Sequence, residues 1–589
     1  LHAFAINKQD NSLNELWSFI PPAVLPSIGE QYPTRYEAAN KTLLSGPIVV
    51  GEVAGDASPT AGRFLTRTAP TPSSFNTAKW YTVLLGTYGS SQGYFALDVT
   101  NPDRDETKKV TGYTSGPRFL WQLTTDKDGN PLFGSRSTRP AIATLYFVMP
   151  GSGVGTLPAR HAVAILPGGY GGVRSNDETN LETTTFPTGS VANIVGVTHR
   201  TKTAKYTPVS NNPQDVLSLA GARSLTIVRL DTGEVIRTFR RSDSYNAAAP
   251  EAPQALYGTN SGNSRVTKAP FAAPLVGHII SYPNTPGSVA DRAYIGDAEG
   301  RLWRLDLSSA EPQDWSVTLV HDAFPTDTTW GGPFGLADVG PIETPPILST
   351  DPMGRVTIAL STGEQTSLTP VGRNSVWSLT EQKNLKTGDI QMDVNWILNA
   401  SNAKNTTSTS DKTVHFAAGS GERVTGPMAL FSSVLYFTSF NPQTIDPGSC
   451  SPGSSYLWGV DYLHAGQTVG ASGPTTAVDG PLPQFPDPTS STPANNLRVI
   501  SFNEAGIAFG VGVMQKPSCI TIEDDLSEDP FLGMTGHQTI KSLNPGAFQL
   551  VVQVGANQGG GDKKVRVDTF DLLPPSARSV IDSWAAILD

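Results

Sequence analysis

Short stretches in which hydrophobic and polar residues alternate recur along the chain, and the clearest spans residues 291–307. Its first residues alternate with the period of two that is typical of a β-strand. Residues 296–300 have a glycine at each end and an aspartate that can bond to its own backbone, which predicts a hairpin turn. The return strand has three hydrophobic residues on one face: Trp303, Leu305 and Leu307. Because Leu302 breaks the alternation, we expect this hairpin to be buried on both faces.

The same plan of strand, turn and return strand recurs elsewhere in the chain. Five further stretches show it: 1–20, 81–100, 161–230, 355–379 and 428–460. A weaker pair is predicted within residues 496–522, and two final strands at 547–554 and 564–570. A short helix is predicted at 575–588.

These units number about seven, and none can bury both of its faces alone. Closing them into a ring buries both faces and protects the sheet edges. The pattern therefore predicts an all-β fold, a modified β-propeller of seven blades, with an array of β-sandwiches as the alternative. High counts of glycine (57) and proline (47) agree with many turns. We expect the propeller to span residues 1–570, with an incomplete first blade, and a helical tail to span 571–589.

Charge and hydropathy limit the partners. The formal net charge is -10, and no basic stripe is present that would neutralise phosphates, so nucleic-acid binding is not expected. No hydrophobic run approaches the roughly 20 residues that span a bilayer. The sequence begins without a signal-peptide pattern and as if within a strand, so we expect an N-terminal domain upstream of it.

Four stretches share features with one known family. They are LHAF and ELWSFIPPAVLP within 1–26, GYFALDVTNP at 93–102, YIGDAEGRLWRLDL at 294–307, and GERVTGPMALFSSVLYFTSF with GSSYLWGVD within 421–461. In this order they resemble the C-terminal propeller of the PilC/PilY family of type IV pilus tip-associated adhesins and biogenesis factors. The resemblance implies a non-enzymatic protein that is exported through the periplasm to the pilus tip or cell surface. It implies roles in priming pilus assembly with minor pilins, in adhesion to host or abiotic surfaces, and in twitching motility.

The family often has a calcium loop just before the strand that begins at position 292. Oxygen ligands at alternate positions around a turn are the basis of such a loop. Asp291 matches the last ligand, but the other positions fall on Pro283, Thr285 and Gly287. Proline and glycine offer no side-chain oxygen, so the calcium loop looks degenerate. Calcium is kept as a possible cofactor. No other cofactor is expected.

Two other acidic segments are candidates for cations. Asp126, Asp128 and Asn130 place oxygens at three alternate positions, although Asp-Gly-Asn is also ordinary hairpin-turn chemistry, and the turn is preferred. The second segment has five acidic residues: Glu523, Asp524, Asp525, Glu528 and Asp529. A solvated acidic loop is the preferred interpretation there.

Cys450 and Cys519 are the two cysteines of the chain. They could form one disulfide in an exported protein or remain as two thiols, and both alternatives stay open. They are too far apart in sequence for the vicinal disulfide that is typical of quinoprotein dehydrogenases. A periplasmic quinoprotein dehydrogenase is the alternative function because its propeller repeats look related, although the sequence offers neither this disulfide nor a catalytic motif.

Three long segments, residues 172–222, 399–419 and 471–495, are rich in small polar residues. We interpret them as loops that project from the ring, suited either to variable recognition or to no specific role. On either interpretation, deleting residues 175–218 should leave folding intact.

Overall fold

The computed structural model describes residues 1–572 apart from 7–12, 31–43, 57–64, 68–77, 90–91, 104–114, 126–130, 184–192, 195–196, 242–264, 327–333, 368–371, 384–387, 400–420, 443–452, 466–468, 471–472, 475–480, 484–498, 503–505, 516–520, 526–536, 543–547 and 556–565. Strands dominate this part of the chain and the helices are short, which confirms the predicted all-β fold. Within it, no helix is long and apolar enough to span a membrane. The predicted helix at 575–588 lies outside the described residues.

The chain divides into two compact units. The first unit comprises Leu1–Ser367 and Val371–Asn395. The second comprises Leu368–Pro370 and Trp396–Asp589. The single propeller domain expected over residues 1–570 therefore stays a prediction, and so does closure of a ring.

The first unit begins with a hairpin of strands β1 (His2–Ile6) and β2 (Leu13–Ser18). A 3-10 turn, Pro22–Val24, then leads into helix α1 (Leu25–Glu30). The side chains of Trp17 and Val24 are buried in a cluster with Leu84, Phe95 and Leu97. This packing attaches the opening hairpin to the first four-stranded sheet.

Two larger sheets follow in the first unit. Sheet 1 is an antiparallel meander of β3 (Ile48–Asp56), β5 (Ala78–Thr87), β6 (Tyr94–Asp98) and β7 (Arg118–Leu123). Sheet 2 has the meander β8 (Ala141–Phe147), β9 (Ala159–Pro167), β16 (Ser224–Arg229) and β17 (Val235–Arg241), with β4 (Thr66–Arg67) beside β9 and β18 (Val266–Ala269) parallel to β17.

An insertion separates β9 from β16 in sheet 2. It contains the short pairs β10 (Val173–Arg174) with β15 (Tyr206–Thr207), β11 (Leu181–Thr183) with β14 (Lys202–Ala204), and β12 (Asn193–Ile194) with β13 (Val197–Thr198). Helix α2 (Pro213–Ala222) ends the insertion. Its N-cap is Asn212, whose side chain accepts a hydrogen bond from the backbone N–H of Gln214. An asparagine in this position satisfies an otherwise unpaired N–H of the first turn.

Sheets 3 and 4 repeat the four-stranded plan. Sheet 3 consists of β19 (Ile280–Tyr282), β20 (Arg292–Gly296), β21 (Arg301–Asp306) and β22 (Ser316–Asp322), with a 3-10 turn at Pro312–Asp314. Sheet 4 consists of β23 (Ile347–Thr350), β24 (Val356–Ser361), β25 (Val376–Lys383) and β26 (Ile390–Leu398), preceded by a 3-10 turn at Leu336–Asp338.

Sheets of the first unit pack face to face in chain order. One buried cluster joins Tyr81 and Trp121 of sheet 1 to Ala164 of sheet 2, and a second joins Phe147 of sheet 2 to Trp303 of sheet 3. Fully burying such a side chain contributes about 1.5–3 kcal/mol. Sheets stacked in this way are typical of neighbouring propeller blades.

The hairpin predicted at residues 291–307 is confirmed. Trp303, Leu305 and Leu307 lie on one face, in the cluster shared with sheet 2. Tyr294 lies on the other face, where its hydroxyl contacts Glu381 of sheet 4. In the turn, Asp297 accepts backbone hydrogen bonds from Glu299 and Arg301. The hairpin is thus buried on both faces.

The second unit contains two further sheets. Sheet 5 has β27 (Arg423–Val424), β28 (Ala429–Phe431), β29 (Val434–Asn441), β30 (Ser454–Ala465), β33 (Pro481–Pro483) and β34 (Val499–Phe502), and a small pair joins β31 (Val469–Gly470) to β32 (Gly473–Pro474). Sheet 6 has β35 (Ala508–Gln515), β38 (Phe548–Val554) and β39 (Arg566–Leu572), and β36 (Thr521–Asp525) pairs with β37 (His537–Ser542).

The weak hairpin predicted within residues 496–522 is wrong. Strand β34 pairs with β30 in sheet 5, whereas β35 pairs with β38 in sheet 6. The physical reason is that the backbone of β34 is already hydrogen-bonded to the edge of β30. Strand β35 therefore pairs with β38 instead. The final strands, predicted at 547–554 and 564–570, pair with each other as β38 and β39.

Three third strands share a short sequence pattern. An aromatic residue is followed two residues later by an aliphatic one and then by aspartate, at Phe95–Asp98, Trp303–Asp306 and Trp458–Asp461. The Asp98 carboxylate accepts hydrogen bonds from the N–H and hydroxyl of Thr100, and Asp306 does the same with Ser308. Asp461 accepts from the N–H of Leu463. Strands β6 and β21 end at this aspartate, which bonds to the backbone two residues on, whereas β30 continues to Ala465.

Candidate functional site

The first strands of sheets 1, 2 and 3 line a groove in the first unit. Residues 49–53 of β3, residues 142–144 of β8, and Ser281 of β19 with the loop at 283–288 surround a volume of about 430 Å³. The loop is attached to β8 because the N–H of Ala290 donates to the carbonyl oxygen of Thr144, at 2.8 Å. A groove of this volume falls in the range that small ligands occupy, about 300–1,000 Å³.

The groove has an aliphatic floor and neutral polar walls. Val53 and Ala143 are buried, and Ile142 is half-buried. Three threonines, two serines and one asparagine add polar groups: Thr82, Thr144, Thr285, Ser281, Ser288 and Asn284. Glu52 is the one charged residue among those that line the groove. The surface therefore suits an uncharged ligand with both hydrogen-bonding and hydrocarbon faces.

Local backbone chemistry shapes the loop on one side of the groove. Both the N–H and the hydroxyl of Ser288 donate to the carbonyl oxygen of Thr285, which closes a tight turn. Gly287 has φ +81°, and a Cβ there would lie 2.9 Å from the ring of Trp80. Glycine is thus required both by the left-handed backbone and by the close approach of the indole.

This loop is where the family resemblance implies calcium. The Asp291 carboxylate accepts hydrogen bonds from Arg292, from Nε at 2.7 Å and from Nη2 at 3.0 Å. Within the described part of the chain, no three His, Cys, Asp or Glu residues come together as a set of metal ligands. Calcium binding through Asp291 stays a prediction. The carboxylate that would bind the ion is already paired with the guanidinium of Arg292.

Other candidate residues lie outside the described part of the chain. These are Asp126, Asp128, Asn130, Cys450 and Cys519. An isolated antiparallel bridge joins Thr125 to Pro131, the described residues on either side of the first segment. Of the acidic segment at 523–529, residues 523–525 belong to strand β36.

The structure also contains a buried charged cluster that no sequence motif indicates, here called the insertion clasp. It consists of the turn residues Asp297, Glu299 and Arg301, the end of β22 at Asp322, and three residues of the insertion, Arg174, Arg200 and Tyr206. Asp297, Glu299, Arg301 and Asp322 are each 0% exposed. The prediction that residues 172–222 project as a surface loop is wrong for this part of the insertion.

Arg200 is the central cation of the clasp. Its Nη2 donates to Asp322 Oδ1 at 2.8 Å, and its backbone N–H donates to Asp322 Oδ2 at 3.0 Å. Glu299 accepts hydrogen bonds from Arg174 Nε, at 2.5 Å, and from the Tyr206 hydroxyl, at 3.1 Å. Burial alone would raise the pKa of Asp322, but Arg200 and Arg301 together hold it well below its usual value. Buried charges of this kind are tolerated only when they are paired.

Two groups of the clasp region have altered protonation. Burial raises the pKa of Asp297 to about 6, against the opposing effect of Arg301. Burial, and then the neighbouring His199, lower the pKa of His321 to about 3. Neither ring nitrogen of His321 has a hydrogen-bond partner among the described residues, and its ring meets Trp377 edge-on at 4.5 Å. His321 is therefore a neutral core residue.

A second charged cluster lies between sheets 3 and 4. The Glu381 carboxylate accepts hydrogen bonds from the Tyr294 hydroxyl and from Arg292, and from Arg304 Nε at 3.1 Å. Glu381 is 7% exposed and Arg304 is equally buried. No sequence motif marks these residues, because they come from strands about 80 residues apart. Their role is to fix the register of two sheets.

Comparisons with known proteins give structural similarities alone. No protein-family model matches the chain, and no curated protein sequence matches it. The chain is similar to the C-terminal domain of Pseudomonas aeruginosa PilY1, at 15% identity over 88% of each chain, with a TM-score of 0.43. It is also similar to the subtype N11 neuraminidase-like protein of a flat-faced bat influenza virus, at 11% identity over 90% of this chain and 94% of that one, with a TM-score of 0.26.

Proposed function

We propose that this chain is the C-terminal propeller of a type IV pilus tip-associated protein without catalytic activity. In this role it primes pilus assembly with minor pilins and supports surface adhesion and twitching motility. The observation that carries the proposal is the position of the four family-like stretches. Each falls on a hairpin or on the third strand of a sheet, and three of them contain the pattern of an aromatic, an aliphatic and an aspartate residue that ends at Asp98, Asp306 or Asp461.

The physical basis of the function is a stiff scaffold with variable connections. Sheets of the first unit are buried on both faces, and their buried charged clusters fix the register of neighbouring sheets. Loops between strands then differ in length without changing the scaffold. Such a scaffold can hold several binding surfaces in fixed positions, for an upstream domain, for minor pilins and for an external surface.

The proposal is tested in the piliated organism that encodes this chain. Residues 1–589 are deleted in frame from the chromosomal gene, and surface pili are counted by electron microscopy. We expect few or no pili in the deletion strain, restored by the wild-type gene. A matched complementation with Arg160→Ala, which changes an exposed arginine, should also restore them. Normal pilus numbers and normal twitching in the deletion strain would contradict the proposal.

A further inference from the structure

The groove lined by β3, β8 and β19 has a definite chemistry. We propose that it binds an uncharged carbohydrate, and that this is the adhesive contact of the module. The inference rests on the proposed function for its biological role, whereas the binding itself rests on the groove alone.

The polar groups of the lining suit a hydroxylated ligand. Ser281 is 3% exposed, lines the groove, and its hydroxyl makes no hydrogen bond within the described residues. Thr144 is half-buried and Asn284 is exposed, and both add polar side-chain groups to the groove. Serine and threonine hydroxyls and the asparagine amide each donate and accept hydrogen bonds, so a ligand with several hydroxyl groups can pair with them.

The apolar floor selects among hydroxylated ligands. Val50 is exposed, and Val49 and Ile142 are half-buried, so these three side chains present hydrocarbon beside the polar groups. A pyranose ring has one face of C–H groups and a periphery of hydroxyls, so it matches both parts of the lining. The floor is preformed, because Ala143 belongs to the core cluster shared by sheets 2 and 3. Preformed sites cost less conformational entropy on binding.

Charge excludes the main competitors. No lysine or arginine lines the groove, so a sialylated or sulfated sugar would bury an anion without a cation. Glu52 supplies one carboxylate, fewer than a calcium ion requires. A carboxylate next to neutral hydroxyls instead accepts hydrogen bonds from sugar hydroxyl groups.

The test uses the purified full chain on an array of oligosaccharides. The neutral probes end in glucose, galactose, N-acetylglucosamine or N-acetylgalactosamine, and sialylated and sulfated oligosaccharides are included. We expect binding to one or more neutral probes and no change in binding between low and high salt. Binding confined to anionic probes, or to none, would overturn the proposal.

Three variants place the binding in the groove. Thr144→Val keeps the side-chain shape and removes the hydroxyl, so we expect affinity for the bound sugar to fall about tenfold, the value of one hydrogen bond. Thr285→Trp, at an exposed loop position, should block the groove and abolish binding without affecting the melting temperature. The matched control Thr318→Val changes a half-buried strand threonine outside the groove and should bind as the wild type does.

Equal sugar affinity in Thr144→Val, Thr285→Trp and the wild type would overturn the assignment to this groove. The same variants also separate this inference from the proposed function. Cells with Thr144→Val should keep normal pilus numbers, because pilus assembly does not use the sugar. Loss of sugar binding on the array with normal pili supports both proposals, whereas absence of sugar binding in the wild type overturns the inference alone.

Discussion

Single residues of the insertion clasp illustrate how buried charge is stabilised in this protein. Asp322 and Glu299 are fully buried, and their main cationic partners, Arg200 and Arg174, come from a segment more than 90 residues earlier. Burying an ion is expensive, and pairing offsets the cost only while both partners remain. The stability of the first unit should therefore depend on residues that look like surface arginines in the sequence.

The first prediction concerns Arg200. Replacing it by alanine leaves Asp322 buried without its bidentate partner, so we expect the free energy of unfolding to fall by about 3–5 kcal/mol. Urea unfolding followed by tryptophan fluorescence measures the change. The matched variant Arg160→Ala removes an exposed arginine and should change stability by less than about 0.5 kcal/mol. Equal stability of the two variants would show that the clasp contributes little.

The second prediction concerns acid. Burial lowers the pKa of His199 to about 4, of His278 to about 4 and of His321 to about 3. Below pH 6.5 these histidines are protonated in the unfolded chain but stay neutral in the folded protein. The free energy of unfolding should therefore fall by about 1.4 kcal/mol per histidine for each unit by which the pH is lowered. Asp297, with its pKa raised to about 6, acts in the opposite direction between about pH 4 and 6. The three histidines outweigh the one aspartate.

Urea unfolding at pH 7 and at pH 5 tests the acid prediction. We expect lower stability at pH 5, and a smaller loss in the His321→Phe variant, which has one fewer group to protonate on unfolding. Stability that is constant or higher at pH 5 would contradict the assignment of these histidines as neutral core residues.

The third prediction concerns Asp291. Because Arg292 already pairs with its carboxylate and the neighbouring loop has few charged ligands, we expect calcium to bind weakly or not at all. Calorimetric titration of the full chain with calcium measures this, with Asp291→Ala as the matched variant. A strong isotherm that disappears in Asp291→Ala would show that a functional calcium site exists at this loop.

At the scale of elements, the sequence predicted most of the hairpins and missed one part of the architecture. Alternation over 291–307 located β20 and β21 because both flanks carry hydrophobic residues at strand spacing. The insertion was misjudged because its Ser, Thr, Asn and Gly composition is that of a loop, while its anchoring depends on Arg200 and Tyr206. Their partners, Asp322 and Glu299, lie about 100 residues away, and local patterns carry no information on such pairs. The groove was missed for the same reason, since its walls come from three separate sheets.

The fourth prediction replaces the expectation that the insertion is dispensable. Deleting residues 175–218 removes Arg200 and Tyr206, so we expect a lower melting temperature or loss of the cooperative transition. The control replaces residues 151–156, an exposed turn between β8 and β9, by a short Gly-Ser linker and should melt as the wild type does. Equal melting temperatures of the deletion variant and the linker control would mean that the insertion does not stabilise the first unit.

At the scale of the whole molecule, the chain has a net charge of -10 and consists largely of antiparallel sheets. Third strands in both units share one repeating plan, in which an aspartate accepts a hydrogen bond from the backbone N–H two residues on. Closure of that plan into a ring of seven blades is a prediction at this scale, as is its position at a pilus tip. The position at a pilus tip is the central claim, because the proposed roles in assembly and adhesion both depend on it.

The most direct test is immunogold electron microscopy of the epitope-tagged full-length protein on piliated cells of the organism that encodes it. Our account predicts gold particles at pilus tips, with the same distribution for the Thr144→Val variant. Gold spread through the periplasm and absent from pili would contradict the account. Absorbance of a bound quinone in the purified protein would then be the measurement that decides for the alternative, a quinoprotein dehydrogenase.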